Sequence, residues 1–465
     1  MKRSLGFWQL LAAIYFCVSG GAFGLEPVVQ LGPGLAILLI LVTPIIWSAP
    51  AALMTAELAC AIPEEGGYYV WVKRALGQPW GFLCGWWSWV FTWVDVAIYP
   101  TLFAVYVGRF LEVLGYAPAI ADHPNLKWGI GLVIIVPLTL LNLLGTKLAG
   151  ESSLAFFVIL LAPFVALVAL GMSRVLMSPS ATIHPFVATG DGAKNAFGVG
   201  LFALMWNYLG WDSISTVAGE VRDPQKTFSR ALAIGVPLVA ASYLLPVLVG
   251  VVVLRDSKLW DDGAWVQVAS LVGGKWLAIS IAAAGIVSSA GLFGATLLTG
   301  SRIPFVLAED GFLPKSVAKL HPRFGTPWVA ILTSAVFYTA FSYGSFKDLA
   351  VIDVVLYSAA LILEFIALAV LRRKEPNMPR PFRIPGGSFG IACVCLAPTA
   401  LIVFACVSRF QEKGEVALGF GHVMERGQVA MWTSAIALAS GPVVWLLGRW
   451  WQNRTSTQSP PERRR

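Results

Sequence analysis

The first apolar stretch of the chain is broken by Val18-Ser19-Gly20-Gly21-Ala22-Phe23-Gly24. Each of its glycines weakens a helix by about 1 kcal/mol relative to alanine. Apolar residues flank the break from residue 7 to residue 31, a length that can span a membrane. Lipid cannot hydrogen-bond to freed backbone groups, so such a break survives only beside a cavity or inside protein. The stretch therefore predicts an interrupted membrane helix lining a cavity, with close packing through small residues as the alternative.

The composition places the whole chain in a membrane. Of 465 residues, 57% are hydrophobic and 12% are charged, against about 25% charged in soluble domains. So few charges cannot cover a water-soluble surface, which excludes a soluble enzyme. The net charge of +8 predicts no nucleic-acid partner here, because in a membrane protein the placement of Lys and Arg matters more than their sum. The six cysteines form no Cys-x-x-Cys pair, and we expect no metal and no cofactor.

Twelve apolar runs predict twelve transmembrane helices. They cover residues 7–31, 35–60, 81–108, 127–146, 152–177, 196–220, 231–254, 275–304, 327–343, 347–371, 388–409 and 429–448. None alternates like a barrel strand, so the fold class is an all-α membrane protein. We expect one transmembrane domain over residues 1–448 and an Arg- and Pro-rich tail over residues 449–465. With both termini in the cytoplasm, two thirds of the 33 Lys and Arg residues lie inside, and the tail is cytoplasmic.

A second irregular patch interrupts the sixth run, at Trp206-Asn207-Tyr208-Leu209-Gly210-Trp211-Asp212-Ser213. The first and sixth runs hold corresponding positions in two five-helix halves, about 7–177 and 196–371. Broken segments at matching positions are typical of a transporter built from inverted repeats, with its site between them. The freed N–H groups attract a carboxylate, and the freed carbonyls attract an ammonium group or a metal cation. Aromatic rings beside the breaks, Phe23 and Trp206 among them, can cover a cationic solute.

Five acids lie inside predicted spans: Glu57, Asp95, Asp212, Asp353 and Glu364. No Lys or Arg lies well inside a span, and those nearest stand at the span ends. A carboxylate at this depth costs about 2.5–3.5 kcal/mol on insertion scales, so each acid is a functional candidate. An acid without a basic partner is protonated, hydrated or paired with something transported. We therefore expect a cationic substrate, proton coupling through Asp212, Asp95 or Glu57, or both. For Glu57 and Glu364 the alternative is snorkelling or loop capping. The competing coupling ion is sodium, held weakly by Ser288 and Ser289, whose alternative is interhelical hydrogen bonding.

The sequence resembles the amino acid–polyamine–organocation (APC) transporter superfamily, and within it the plant-type polyamine uptake and L-type amino acid transporter branch. Four ordered blocks carry the resemblance: Ser19 to Glu26, Thr55 to Val72, Trp93 to Pro100, and Trp206 to Pro224. The chain departs from the branch at Ala22, where proline is usual, and at Pro27, where another acid is usual. The missing acid weakens the case for a polyamine.

The resemblance implies ten helices in two inverted five-helix repeats plus two C-terminal helices, alternating access, and a functional monomer, with a homodimer as the alternative. It implies a plasma-membrane location, an aromatic gate at Trp206, and a short re-entrant helix between Pro63 and Trp80. The expected substrate-binding residues are Ser19, Gly20, Gly21, Ala22, Phe23, Gly24, Asp95, Tyr99, Trp206, Asn207, Tyr208 and Asp212.

The leading hypothesis is a secondary active transporter for an amino acid or polyamine, cationic and coupled to the proton gradient. An amino acid/amine exchanger and a neutral amino acid permease are the alternatives. A membrane enzyme is disfavoured because no nucleophile constellation or metal cluster is present in the sequence. A channel is disfavoured because broken helices with aromatic lids suit an occluded site rather than an open pore.

Overall fold

The computed structural model describes residue 3 and residues 5–116, 123–187, 193–343, 346–410, 415–419 and 422–456. Within these ranges, nine helices are long and apolar enough to cross a membrane. Three predicted spans are shorter: the first and sixth are interrupted, and the ninth is a helix of 14 residues, Trp328–Phe341. The predicted helical membrane fold is confirmed, and the count of twelve spans stays a prediction.

The helices of the first half follow the first five apolar runs. They are α1 (Phe7–Val18), α2 (Glu26–Gln30), α3 (Pro33–Thr43), α4 (Ala49–Ala61), α5 (Tyr68–Leu76), α6 (Gln78–Leu114), α7 (Pro124–Leu143) and α8 (Thr146–Met177). A π-helical turn, Pro44–Ser48, joins α3 to α4, and Pro44 at its start has no N–H to donate. The short helix α5 lies in the segment where the re-entrant helix was expected.

The second half repeats this pattern with a longer C-terminal extension. Its helices are α9 (Ala193–Asn207), α10 (Pro224–Val253), α11 (Ala264–Gly273), α12 (Lys275–Gly300), α13 (Arg302–Glu309), α14 (Trp328–Phe341), α15 (Phe346–Lys374), α16 (Gly387–Phe410) and α17 (Arg426–Ser456). Short 3₁₀ segments cover Pro179–Thr182, Ser213–Glu220 and Ser257–Leu259. Helix α17 continues into the predicted tail as far as Ser456, and residues 457–465 lie outside the described residues.

One connection departs from the all-α prediction. Strands β1 (Glu415–Gly419) and β2 (His422–Glu425) form an antiparallel pair between α16 and α17, with Val416 opposite Met424. The segment lies between the last two apolar runs, where the β-branched residues Val416 and Val423 favour extended backbone. The hairpin belongs to a connection and leaves the helical architecture unchanged.

Both predicted breaks are present, and glycines make them. Helix α1 ends at Val18 and α2 begins at Glu26, with Gly21 and Gly24 at φ +76° and +88°. Helix α9 ends at Asn207, and Gly210 follows at φ +88° before the 3₁₀ segment begins. These left-handed conformations are open to glycine without a steric penalty, so the glycines end the helices where they do.

The two broken segments lie side by side at the centre of the molecule. The Asn207 side-chain amide donates to the Gly24 carbonyl at 3.2 Å, which joins the breaks directly. Leu5, which precedes α1, pairs with the end of the 3₁₀ segment Ser213–Glu220: its N–H donates to the Glu220 carbonyl at 3.1 Å. The long helix α6 runs beside both breaks and packs against α12 and α15. Helices α8, α16 and α17 surround this centre and expose large apolar side chains, as lipid-facing helices do.

Candidate functional site

A small cavity of about 20 Å³ lies between the breaks, α6 and α12. The structure brings six of the predicted substrate-binding residues to its wall: Gly20, Phe23, Asp95, Tyr99, Trp206 and Asn207. Each half of the fold contributes, since Gly20 and Phe23 come from the first break and Trp206 and Asn207 from the second. The cavity is therefore shared by the two broken segments.

Asp95 is the carboxylate of this cavity. It lies midway along α6, is 5% exposed, and accepts a hydrogen bond of 2.6 Å from the Tyr99 hydroxyl one helical turn away. No ion pair within the described residues includes Asp95. Asp353 of α15 is also buried, close to Asp95 and to the Trp206 side chain. The cavity wall thus holds the carboxyl group of Asp95, and no Lys, Arg or His side chain lines the same wall.

Sequence reasoning missed several wall residues. They are Cys17, Phe91, Leu102, Tyr106, Leu209 and Leu292. Four positions of α6, namely 91, 95, 102 and 106, follow the three- and four-residue spacing of one helix face. That periodicity, extended from Asp95 in both directions, was the signal that would have found Phe91 and Tyr106.

Glu26 closes the site on the side of α2. Its Oε1 atom accepts hydrogen bonds from the Tyr106 hydroxyl at 2.8 Å and the Gly263 N–H at 3.2 Å. Its Oε2 atom accepts from the Gly24 N–H at 2.7 Å. One carboxylate, 1% exposed, therefore joins the first break to α6 and to the turn before α11.

Other predicted residues support the breaks without reaching the cavity. Ser19 accepts a hydrogen bond from the Gly21 N–H at 3.0 Å, which stabilises the first break. Gly21 faces Leu160 of α8, while Ala22 and Gly24 are also absent from the cavity wall.

Tyr208 does not reach the cavity either, which corrects its expected role as a lid. Its ring packs on Tyr243, and its hydroxyl donates to the Ile40 carbonyl at 3.3 Å. The backbone turns at the second break and directs this side chain towards α3 and α10. Tyr208 therefore anchors the break to its neighbours.

Asp212 lies in a separate buried cluster and is absent from the cavity wall, contrary to its predicted place there. The Tyr357 hydroxyl donates a hydrogen bond to its Oδ1 atom, and the Glu364 carboxyl lies close enough to interact with it. Tyr357 and Glu364 both belong to α15, so this cluster joins the second break to that helix. Neither oxygen of Glu364 has a hydrogen-bond partner in the part of the chain that the structure describes.

Glu57 is not the unpaired acid that the sequence predicted, and its role in proton coupling stays a prediction. Arg372 binds it through two contacts of 2.5 Å, Arg380 lies 3.2 Å away, and the Ile384 N–H donates at 2.9 Å. The arginines stand at the end of α15 and in the following segment, more than 300 positions away in sequence. Two guanidinium groups of the protein itself therefore pair with this buried acid.

The sodium candidates line the cavity, but protein groups already engage their hydroxyls. Ser288 donates to the Gly20 carbonyl at 2.6 Å, which is the interhelical bond weighed as the alternative. Ser289 donates to the Gly285 carbonyl of its own helix at 3.0 Å. Across the described residues, no cluster of His, Cys, Asp and Glu side chains forms a metal site.

A second ion-pair group, around Arg302, lies outside the cavity wall. Arg302, fully buried at the start of α13, is 3.0 Å from Glu220 and 3.7 Å from Glu65. Burial, and then the like charge of Glu220, raises the pKa of Glu65 to about 8. The group thus links the segment before α5, the 3₁₀ segment Ser213–Glu220 and α13 to one another.

A helical membrane fold with two adjoining breaks around an enclosed polar cavity defines a multi-pass membrane transporter. The fold is similar to that of MhsT in complex with L-phenylalanine, with a TM-score of 0.60, 13% sequence identity, and coverage of 86% of this chain and 98% of that one. The chain belongs to the amino acid permease family, whose model matches residues 5–437.

Named relatives include both plant and bacterial transporters. The polyamine transporter RMV1 of Arabidopsis thaliana is 39% identical over 84% of this chain and 78% of its own length. The polyamine transporter PUT1 of Oryza sativa subsp. japonica is 36% identical over 90% of this chain and 76% of its own. The serine/threonine exchanger SteT of Bacillus subtilis is 26% identical over 72% and 74%. The family and these relatives are transporters rather than enzymes, and so is this chain.

Proposed function

We propose that this protein carries a polyamine or another cationic amine across the plasma membrane by alternating access, driven by the proton gradient. The observation that supports the cationic substrate is Asp95, a buried carboxylate in the cavity wall without a basic partner among the described residues. A transported ammonium group would supply the missing positive charge. The names of the plant relatives support the same substrate class.

The cavity wall offers each part of an alkyl diamine a suitable surface. In this proposal the cavity, about 20 Å³ in the present arrangement, widens to admit the substrate. One ammonium group then meets Asp95, with Asp353 close by, and the methylene chain lies against Phe23, Trp206 and Leu292. Aromatic faces add a cation–π contribution of about 0.5–2 kcal/mol. An amino acid remains the second candidate, because the first break also presents backbone groups of the kind that bind a carboxylate.

The Asp212 cluster is the proposed carrier of the coupling proton. Two buried carboxyls that lie together, Asp212 and Glu364, with no cation among the described residues beside them, hold one negative charge more easily than two. The cluster adjoins the second break, which moves during alternating access in this proposal. Protonation and movement of the break are thereby linked. We place both termini in the cytoplasm and expect a functional monomer.

Uptake of labelled putrescine into proteoliposomes tests the substrate. Unlabelled spermidine, putrescine, lysine, arginine and leucine compete in separate reactions. We expect the polyamines to compete most strongly, and Asp95→Asn to weaken uptake by about tenfold or more, because the ammonium loses its charged partner. Asp261→Asn, which neutralises an exposed carboxylate of a connecting segment, is the matched control. Competition by leucine alone, or full uptake by Asp95→Asn, contradicts the cationic substrate.

A further inference from the structure

A second cavity opens at the end of α15, away from the candidate transport site. It is a groove of about 440 Å³ between α15, α16 and the segment that joins them. Three arginines line one side of it, and the opposite wall is built from α16. The residues that decide its chemistry are Arg372, Arg373, Arg383, Ser388, Ile391 and Leu396.

The groove carries uncompensated positive charge. Arg372 is shared with Glu57, but Arg373 and Arg383 are exposed and take part in no ion pair among the described residues. No acid lines the groove. The joining segment, residues 372–383, holds five basic residues and a single acid, Glu375, which Arg74 binds from α5 at 2.6 and 2.8 Å. That pairing lowers the pKa of Glu375 and leaves the groove basic.

The wall formed by α16 contributes hydrogen-bond donors at the N-terminus of the helix and apolar side chains along its length. Gly387 and Ser388, the first residues of this 24-residue helix, line the groove, so its free N–H groups lie at the groove's edge. Ile391 and Leu396 continue the wall along the helix, and Leu396 is 67% exposed. In a helix that spans the membrane, such a side chain contacts lipid chains. The groove therefore meets the bilayer as well as water.

We propose that this groove binds the phosphate-bearing headgroup of an anionic membrane lipid. A phosphate diester matches Arg373 and Arg383, which can bind it through bidentate hydrogen bonds. The acyl chains lie along Ile391 and Leu396, a wall that a free phosphate ion would not use. Basic grooves between membrane helices on the cytoplasmic side suit anionic lipids for these reasons. The cationic substrate proposed above is repelled by the same charges, so the groove is not a second transport site.

The bound lipid acts on the fold through Arg372. This side chain lines the groove and also holds Glu57 of α4 at 2.5 Å. A phosphate beside Arg372 fixes the end of α15 and the segment that follows it, and so stabilises the contact of α15 with α4. Anionic lipid therefore raises the thermal stability of the protein whichever solute is transported.

Native mass spectrometry of the purified full-length chain tests the proposal. The protein is titrated with phosphatidylglycerol, with phosphatidylcholine and with inorganic phosphate. We expect phosphatidylglycerol to bind more tightly than phosphatidylcholine, and Arg373→Gln/Arg383→Gln to weaken its binding by about 30-fold, as two lost cation contacts imply. Arg230→Gln, which removes an exposed arginine outside the groove, leaves binding unchanged. The midpoint of thermal unfolding rises with phosphatidylglycerol for the wild type and the control only.

Two further measurements separate this proposal from misfolding of the variant and from binding of free phosphate. Arg373→Lys/Arg383→Lys retains both charges and should keep most of the lipid binding, which separates loss of charge from misfolding. Equal binding of phosphatidylglycerol to the wild type and the Gln variant overturns the site. Displacement of the lipid by millimolar inorganic phosphate, with the same thermal shift, assigns the groove to a free phosphate and overturns the lipid assignment.

Discussion

Gly210 is the residue at which the second break depends most directly on the absence of a side chain. Its φ is +88°, and a Cβ there would lie 2.1 Å from the Cys17 carbonyl oxygen. Two constraints therefore act together, a left-handed backbone and a close approach of the two broken segments. Each alone favours glycine, and the second cannot be relieved by a rotamer change because the neighbour is backbone.

Replacing this glycine should prevent the two breaks from packing. We expect Gly210→Ala to lower stability by about 2 kcal/mol or more, since strain of this backbone region alone costs roughly 1–3 kcal/mol. Gly129→Ala in α7 has no atom within 4 Å of the added Cβ and should leave stability unchanged or raise it slightly. The midpoint of thermal unfolding in detergent measures both. Equal midpoints for the two variants would show that the breaks do not pack as described.

A second prediction concerns one side-chain hydrogen bond, from Tyr106 to the Glu26 carboxylate. Tyr106→Phe removes one of the donors to a buried carboxylate and keeps the ring, which packs on Phe23 with ring centroids 4.6 Å apart. Loss of one such bond costs about 1–3 kcal/mol, so thermal stability should fall. Tyr116→Phe, at a tyrosine that is 66% exposed, is the control. In a Glu26→Gln background, the Tyr106 change should cost less; an unchanged cost would mean that the hydroxyl acts elsewhere.

At the scale of elements, the group around Arg302 links three segments through its guanidinium, which pairs with Glu220 and lies 3.7 Å from Glu65. Arg302 stands on α13, Glu220 ends the 3₁₀ segment, and Glu65 precedes α5. The pKa of Glu65 is raised to about 8 here, whereas a glutamate in water titrates near 4.3. In the closed arrangement Glu65 keeps a proton that it loses on exposure to water. At pH values between about 4.3 and about 8, the closed arrangement therefore binds more protons than an open one, so rising pH favours opening.

Thiol labelling measures this pH dependence. With the native cysteines replaced and Ser215→Cys introduced beside Gly67, the labelled fraction is compared with that of unfolded protein at each pH. We expect accessibility to rise as the pH increases towards 8 in this background and to be nearly flat after Glu65→Gln. Glu64→Gln alters the exposed neighbouring acid and should keep the rise. A rise that persists in Glu65→Gln would assign the pH dependence to another group.

The same scale shows where sequence reasoning about elements succeeds. The helices and their interruption at Gly20 to Gly24 and at Gly210 follow from local properties: hydropathy, glycine content and the length of a run. The short helix α5 was implied only by the resemblance to the transporter superfamily. The hairpin of β1 and β2 lies in a short polar connection where those properties are weak. The same local information predicts that two breaks exist, while the bond from Asn207 to Gly24 arises only when the halves assemble.

At the scale of the whole molecule, the site was harder to predict than the fold because side-chain direction is set by distant contacts. Tyr208 was expected beside the substrate and instead packs on Tyr243, since the turn at the break decides where it points. Glu57 was expected to be unpaired because Arg372 lies at the far end of another helix. Asp95, a predicted substrate-binding residue, does lie at the cavity wall, because an acid inside a membrane-spanning helix faces the interior of the bundle. Its role in binding stays a prediction.

The coupling ion is a property of the complete transport cycle, and we propose the proton rather than sodium. The Asp212 cluster offers two buried carboxyls with no cation beside them among the described residues, while Ser288 donates its hydroxyl to the Gly20 carbonyl. We therefore expect an acid-outside pH gradient to drive putrescine into proteoliposomes and an inward sodium gradient at constant pH to have no effect.

Variants of the two candidate ion sites separate the mechanisms further. Asp212→Asn should abolish accumulation against a gradient while retaining exchange of internal for external putrescine, because Asn can bind at the break but cannot carry a proton. Ser288→Ala should still accumulate putrescine in response to the pH gradient. Asp223→Asn is the matched control, an exposed position at φ +46° that asparagine tolerates well, and should behave as the wild type. Accumulation that follows sodium and disappears in Ser288→Ala would replace the proton mechanism with sodium coupling.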